Sequence, residues 1–240
     1  MIIFAHRGYS FKYPENTILA FEKSLEKDAK AIELDIHKTK DGKIVVIHDE
    51  DIERTLEGKG LIKDYTLEEL RKFKCKNIKF KDNDLCKIPT LEEVINVIKD
   101  KDIFLNIEAK TDVIDYKLEQ DTLDIINRYD MKDKVLISSF NHESIKRFKE
   151  LQNDIKYANL YGDKGTNSKD LNNKIKELEL YSINIDVELA TKELVQNAHD
   201  NNIKVFVYTV NSIEVAKKLI GYGVDGIFTD CIELMKSTIQ

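Results

Sequence analysis

In the run AIELDIHKTKDGKIVVIHDE, residues 31–50, two carboxylates, Glu33 and Asp35, stand two positions apart inside an otherwise apolar stretch. Ile32, Leu34 and Ile36 alternate with Glu33, Asp35 and His37. That is the period of a β-strand, so both acids point to one face, roughly 7 Å apart along the chain. At neutral pH they repel each other unless a proton or a cation lies between them, and a divalent metal is the natural occupant. A third acid, Glu108 in FLNIEAK, shares a strand face with Lys110. Three carboxylates offer hard oxygen donors for Mg²⁺ or Ca²⁺, with Mn²⁺ also compatible, and leave positions for water and substrate oxygens. Cys75, Cys86 and Cys231 are too few and too irregular for a zinc set or a disulfide framework, and the histidines are not clustered.

Fixed positive charge comes from Arg7, which can meet phosphate oxygens in pairs, and from Lys110. The site therefore wants an anion with several oxygens, and a phosphodiester satisfies that best. His6 and His48 end two different strands, and a histidine pair titrating near neutrality can serve as general base and general acid. With the acids they read as a hydrolase. His37 falls to the strand exterior or a turn, and His142 and His199 to helix starts or ends, with no chemical role.

These groups need a frame that gathers them. Strands begin near residues 2, 31, 104, 135, 156, 182, 204 and 226, and the segments between most of them carry apolar residues at helical spacing. Thr90 opens TLEEVINVIKD as a capping box would. Lys40-Asp41-Gly42-Lys43 is a turn leading into a short antiparallel return that ends at His48. Eight alternating strand and helix units argue for an α/β fold, a parallel (β/α)8 TIM barrel, with a doubly wound open sheet as the runner-up. Polarity supports the barrel: strands start apolar and end in His6-Arg7, Glu33 and Asp35, Glu108 and Lys110, Ser138-Ser139, Asp186, Tyr208 with Asn211, and Asp230. In such a barrel the carboxyl ends of the strands meet at one mouth, where active sites lie.

At 240 residues the chain suits one catalytic domain, 1–240, with the lysine-rich irregular stretch 49–87 as a small insertion after the second strand. A formal charge of −6, from 44 acids against 38 bases, speaks against a broad nucleic-acid footprint, so an anionic substrate must be met locally. No apolar run is long enough to span a membrane, the start lacks the pattern of a signal peptide, and the few cysteines fit a reducing compartment, so a cytoplasmic location is expected. The outer helical faces leave room for a homo-oligomer, though no stretch singles itself out.

Taken in order, His6-Arg7-Gly8, Pro14-Glu15-Asn16-Thr17, Glu33-Leu34-Asp35-Ile36, Asp41-Gly42, His48-Asp49, Thr55 with Gly58 and Gly60, Ile88-Pro89-Thr90-Leu91, Asn106-Ile107-Glu108-Ala109-Lys110, Ser138-Ser139-Phe140, Val207 to Asn211 and Gly226 to Asp230 span the chain. This set resembles the glycerophosphodiester phosphodiesterase family. The resemblance implies a TIM barrel with a small insertion after its second strand. It implies metal-dependent hydrolysis of a small-molecule glycerophosphodiester, such as glycerophosphocholine or glycerophosphoethanolamine, to glycerol 3-phosphate and an alcohol, in lipid and glycerol metabolism. It makes Glu33, Asp35 and Glu108 metal ligands, His6 and His48 the acid–base pair, and Arg7 and Lys110 phosphate ligands. Tyr208 stands where the family often has Trp, keeping an aromatic wall on the glycerol side, and Thr229-Asp230-Cys231-Ile232 lacks the family's proline. Intramolecular attack by the glycerol 2-hydroxyl through a cyclic phosphate, and direct attack by water, both remain open, as does which histidine is the acid. The rivals are a related barrel phosphodiesterase acting on lysophospholipids or phosphoinositides, and a non-catalytic phosphoglyceride-binding barrel.

Overall fold

The alternating strand pattern closes on itself in the computed structural model, which describes residues 1–162 and 165–239. In chain order the elements are β1 (Ile2–Ala5), α1 (Ile18–Glu26), β2 (Ala31–Lys38), β3 (Ile44–Val46), α2 (Leu67–Leu70), α3 (Leu91–Ile98), β4 (Phe104–Ala109), α4 (Glu119–Arg128) and β5 (Val135–Ser139). There follow α5 (His142–Leu151), β6 (Lys156–Tyr161), α6 (Ser168–Lys174), β7 (Ser182–Asp186), α7 (Lys192–Asp200), β8 (Lys204–Tyr208), α8 (Ile213–Tyr222), β9 (Gly226–Thr229) and α9 (Ile232–Ile239). β1 pairs in parallel with both β2 and β9, and the parallel pairing runs on through β4 to β8, so eight strands form a closed (β/α)8 barrel. β3 lies outside it, antiparallel to β2. Helix starts are fixed locally: Thr17, Asn141 and Thr191 accept hydrogen bonds from the first turns of α1, α5 and α7. Thr90 and Glu93 form the expected capping box at α3.

Period-two alternation then sorts the side chains. Ile32, Leu34 and Ile36 of β2 and Leu105 and Ile107 of β4 face outward against Leu91, Val94 and Ile95 of α3. Inside, Phe4 stacks on Phe228 at 4.5 Å between ring centroids and meets Phe206 edge-on at 5.2 Å, closing the lower barrel with a dry plug. Gly226 serves this plug, because a Cβ there would lie 2.8 Å from the Ile2 carbonyl oxygen and 3.0 Å from the Phe206 ring. A polar layer joins the strands: Asn106 of β4 donates to Ser138 of the neighbouring β5 at 2.9 Å, and Asn184 of β7 donates across the barrel to Asn106 at 3.3 Å. Two residues further along their strands from Phe4, Asn106, Phe206 and Phe228 come His6, Glu108, Tyr208 and Asp230. The inward face therefore turns from aromatic plug to polar mouth.

The β2–β3 hairpin positions one more group. β2 continues past the rim to Lys38, turns, and returns antiparallel, with Ile36 opposite Val46. The Ile47 amide then donates to the Asp35 carbonyl at 3.0 Å. His48 follows immediately, in a loop rather than at a strand end, at the level of Asp35.

Candidate active site

Glu33, Asp35 and Glu108 each present one carboxylate oxygen, and those oxygens lie within 4.8 Å of one another. Adjacent strands bring this about, since β2 and β4 pair with Asp35 opposite Glu108. Glu33 and Asp35 are buried, at 2% and 0% exposure. Burial, then the charges of Asp35 and Glu108, push the Glu33 carboxyl well above the usual range. Burial would raise Asp35 as well, but the Arg7 and Lys110 charges outweigh it and hold that group below the usual carboxylate range. One oxygen of each acid, Glu33 Oε1 and Asp35 Oδ1, is buried with no hydrogen-bond partner. Orphaned buried oxygens are costly, and a hard divalent cation is the group that satisfies both oxygens and the repulsion between the acids. The donor set thus fits such an ion.

The other oxygens are held by the turn after β1. The Arg7 amide donates to Glu33 Oε2 at 2.8 Å, and the Asn16 side-chain amide donates to Asp35 Oδ2 at 2.8 Å. Both Arg7 and Asn16 have positive φ, 57° and 55°, a conformation that non-glycine residues adopt only when their surroundings impose it. Gly8 next to Arg7 has φ of 80°, and a Cβ there would lie 2.7 Å from the Ala20 backbone. The turn is therefore pressed against α1, which aims its amide at the acids. The Arg7 guanidinium lies 3.4 Å from Asp35 through Nε and donates through Nη1 to Glu15 at 2.8 Å.

Each histidine of the expected pair leans on a carboxylate. His6 Nδ1 is 2.6 Å from Asp230 Oδ1, and His48 Nδ1 is 2.6 Å from Asp49 Oδ1. An ionised carboxylate only accepts, so Nδ1 carries the hydrogen in both and Nε2 is left for the site. Ser10 and Asn211 also donate to Asp230, at 3.1 and 2.6 Å. Burial would raise Asp230, but its bond to His6 and the His6 charge bring it down to about 2. His6 Nε2 lies 4.0 Å from Glu33 Oε2. Lys110 donates to Glu108 at 2.7 Å and stands 3.4 Å from His48 Nε2.

His6, Arg7, Glu33, His48, Glu108 and Tyr208 line one cavity of about 400 Å³, and Asp35 and Lys110 touch these residues from behind. The remaining lining mixes Asn184 and Asp186 with an aromatic pair: Phe140 meets the Tyr208 ring edge-on at 6.1 Å, and the Tyr208 hydroxyl donates to the Tyr161 carbonyl at 2.9 Å. All eight candidates thus converge. His142 and His199 sit in the first turn of α5 and the last turn of α7, as expected. The reading of His37 needs correction. It is fully buried, not exterior, with Nε2 3.0 Å from the His48 carbonyl and its ring edge-on to Tyr116 at 5.3 Å. The strand has left the barrel there, but the return from β3 and the loop after β4 cover it. Sequence reasoning also missed the partners Glu15, Asn16, Asp49 and Arg54. Their signals were local, an acid beside His48 and a Glu-Asn pair after proline, but their roles depend on chain folding back.

Comparison with known proteins bears on the whole chain. The model of the glycerophosphoryl diester phosphodiesterase family matches residues 6–234. A glycerophosphodiester phosphodiesterase of Caldanaerobacter subterraneus subsp. tengcongensis is 39% identical over 100% of this chain and 98% of its own length. One from Bacillus altitudinis is 40% identical over 95% of this chain and 94% of its own. Among solved structures, a phosphodiesterase of Oleispira antarctica in complex with the product sn-glycerol-3-phosphate superposes with a TM-score of 0.85 at 27% identity, covering 100% of this chain and 96% of that one. A putative glycerophosphoryl diester phosphodiesterase from Silicibacter pomeroyi reaches 0.90 at 22% identity over 100% of this chain and 92% of its own, a likeness of fold.

Proposed function

The chain belongs to the glycerophosphoryl diester phosphodiesterase family and is a phosphodiester-hydrolysing enzyme, and on that premise we propose that it cleaves glycerophosphodiesters of small head-group alcohols, with a divalent cation and two histidines. The reaction yields glycerol 3-phosphate and the alcohol. One observation carries this reading: three clustered carboxylates, two of them with an orphaned buried oxygen, gather with two cationic side chains and two carboxylate-backed imidazoles at a single cavity. We read residues 1–240 as one catalytic domain with 49–87 as a small insertion in it. The three free thiols, two of them buried, suit a reducing cytoplasm. Among the described residues no helix is long and apolar enough to cross a membrane.

Glu33, Asp35 and Glu108 would hold the cation, Mg²⁺ or Ca²⁺ with Mn²⁺ as a further candidate, which when bound would offset charge on the phosphoryl oxygens and so lower the barrier to attack at phosphorus. Arg7 keeps guanidinium hydrogens unused by Glu15, and with Lys110 it offsets charge gathering on the same oxygens. The two Nε2 atoms are the proton carriers. One takes the proton of the attacking hydroxyl, water or the glycerol 2-hydroxyl, and the other gives a proton to the departing alkoxide; on the 2-hydroxyl route a water then opens the cyclic phosphate to glycerol 3-phosphate. Asp49 and Asp230 hold each ring so that Nε2 faces the phosphate. The Tyr208 and Phe140 wall excludes water from the glycerol side.

The test is a panel of glycerophosphocholine, glycerophosphoethanolamine and lysophosphatidylcholine, with release of the head-group alcohol, and of glycerol 3-phosphate from the first two, measured before and after EDTA and during readdition of Mg²⁺, Ca²⁺ and Mn²⁺. Release from the first two, abolished by chelation and restored by one of the ions, is the expected result. Turnover of lysophosphatidylcholine alone would move the enzyme to lysophospholipids, and release that survives chelation would end the metal reading.

A further inference from the structure

Arg54 lies six residues beyond His48, in the irregular segment that follows β3, and it is engaged by two carboxylates at once. Its Nε donates to Asp49 Oδ2 at 2.6 Å and its Nη2 reaches Asp49 Oδ1 at 3.3 Å. On the other edge Nη1 donates to Glu15 Oε2 at 2.6 Å and Nη2 to Glu15 Oε1 at 2.8 Å. A guanidinium carries five N–H donors in a rigid plane, and these contacts take nearly all of them. Arg7 differs, since among the described residues its guanidinium hydrogen-bonds to Glu15 alone, through Nη1. Arg54 is therefore not poised to read a phosphate, although its side chain is partly exposed beside the mouth.

Its two partners are the groups that orient the chemistry. Asp49 Oδ1 takes the Nδ1–H of His48, and Glu15 Oε1 takes the Nη1–H of Arg7. An unbroken path runs from His48 through Asp49, Arg54 and Glu15 to Arg7. Asp49 neighbours His48 in sequence, so nothing in the local backbone obliges its carboxylate to face the ring. What fixes that carboxylate is the side-on grip of Arg54, a paired geometry that a single ammonium cannot reproduce. Burial would raise both acids, yet their bonds to Arg54 keep Asp49 and Glu15 below the usual carboxylate range, so both remain acceptors.

Resting on the reading of His48 as a proton carrier, we propose that Arg54 is a positioning residue: it locks Asp49 against His48 and Glu15 against Arg7, so that imidazole and phosphate-facing guanidinium are held in register by the segment after β3. Arg54 touches neither substrate nor cation. Its loss frees the Asp49 carboxylate to turn to solvent and the His48 ring to turn with it.

The experiment compares Arg54→Ala, Arg54→Lys, Asp49→Asn, the Asp49→Asn/Arg54→Ala double variant and His48→Ala on glycerophosphocholine with saturating cation, with thermal melting of each. Arg54→Ala is expected to melt as a folded protein and to lose roughly 10–100-fold in kcat, the range for partners that orient a reacting group, with KM little changed. Arg54→Lys recovers only part of that loss, and the double variant is no slower than the worse single one, because both remove the same restraint. The downfield NMR signal of the His48 Nδ1–H, identified by its absence in His48→Ala, exchanges with water in Arg54→Ala. If Arg54→Ala does not fold, Arg54→Lys and Asp49→Asn carry the comparison. Wild-type kcat in Arg54→Ala with His48→Ala inactive overturns the positioning role alone. So does a rise in KM and in the inhibition constant of glycerol 3-phosphate at unchanged kcat, which would make Arg54 a phosphate ligand. Wild-type turnover in His48→Ala overturns the reading beneath it.

Discussion

Replacing His37 by Gln should flatten the acid limb of the protein's stability curve. Burial, the largest cause, depresses the His37 imidazole to about 4 from its ordinary 6.5, outweighing its bond to the His48 carbonyl and the Asp35 charge, which pull it up. Above that ordinary value the ring is neutral folded and unfolded, and contributes no slope. Between 6.5 and about 4 the unfolded chain binds a proton that the folded chain refuses, so stability falls as pH falls. Integrated from about pH 7.5 to about pH 5, this one group accounts for a loss of about 2 kcal/mol. No discount for solvent applies, because His37 is fully buried. A glutamine amide can still donate to the His48 carbonyl, which His37 Nε2 holds at 3.0 Å, but it does not titrate. Urea unfolding of both proteins across that pH range is the assay, read as the difference in slope so that the remaining carboxylates cancel. Parallel curves would refute the buried neutral imidazole and with it the cause assigned to the shift.

His48→Ala should lower kcat by roughly 10²–10⁴-fold if His48 is the acid, without a matching loss of stability; assays of glycerol 3-phosphate release and melting curves measure the two separately. Glu33→Gln should raise the melting temperature of the metal-free protein. The raised Glu33 carboxyl means that folding disfavours its charge, so its cost to the folded state grows as pH rises, and an amide escapes it. The same variant should lose most of the melting shift that added cation gives the wild type. A metal-free Glu33→Gln protein that melts below the wild type would contradict the repulsion inferred for the three acids.

Much of the frame is legible in the amino-acid sequence, and for a physical reason. Barrel strands have one face against helices and one face toward the axis, so Ile32, Leu34 and Ile36 against Glu33 and Asp35 announce both the strand and the anomaly in it. Glu108 and Lys110 are legible in the same way, and the family resemblance adds the order in which the motifs occur. What escapes is whatever depends on two distant segments meeting. Asp230 and His6 are 224 residues apart, and Arg54 and Glu15 are 39 apart. Neither pair has a periodic signature. His37 is misplaced by its sequence pattern for the same reason: its burial comes from the Tyr116 loop and from the chain after β3, not from the strand that carries it.

That misplacement bears on how the site is built. Of the two histidines, His6 extends β1, and its amide joins the barrel ladder by donating to the Thr229 carbonyl at 2.9 Å. His48 has no ladder. It hangs beyond the outer strand β3, and its place is set by three unrelated restraints: Ile47 on the Asp35 carbonyl, His37 on its own carbonyl, and Asp49 with Arg54 on its ring. Each restraint runs either to β2, the strand of Glu33 and Asp35, or to the segment that follows His48. Moving β2 therefore moves Glu33, Asp35 and His48 together, so the spacing from these carboxylates to the imidazole is kept even if the rim breathes. Arg7 is tied in from the other side, through its amide on Glu33 and its guanidinium on Glu15. By this logic, substitutions in the β2–β3 hairpin should leave cation binding and His48 turnover falling together, whereas cutting the Arg54 link should separate them, with cation affinity kept and turnover lost.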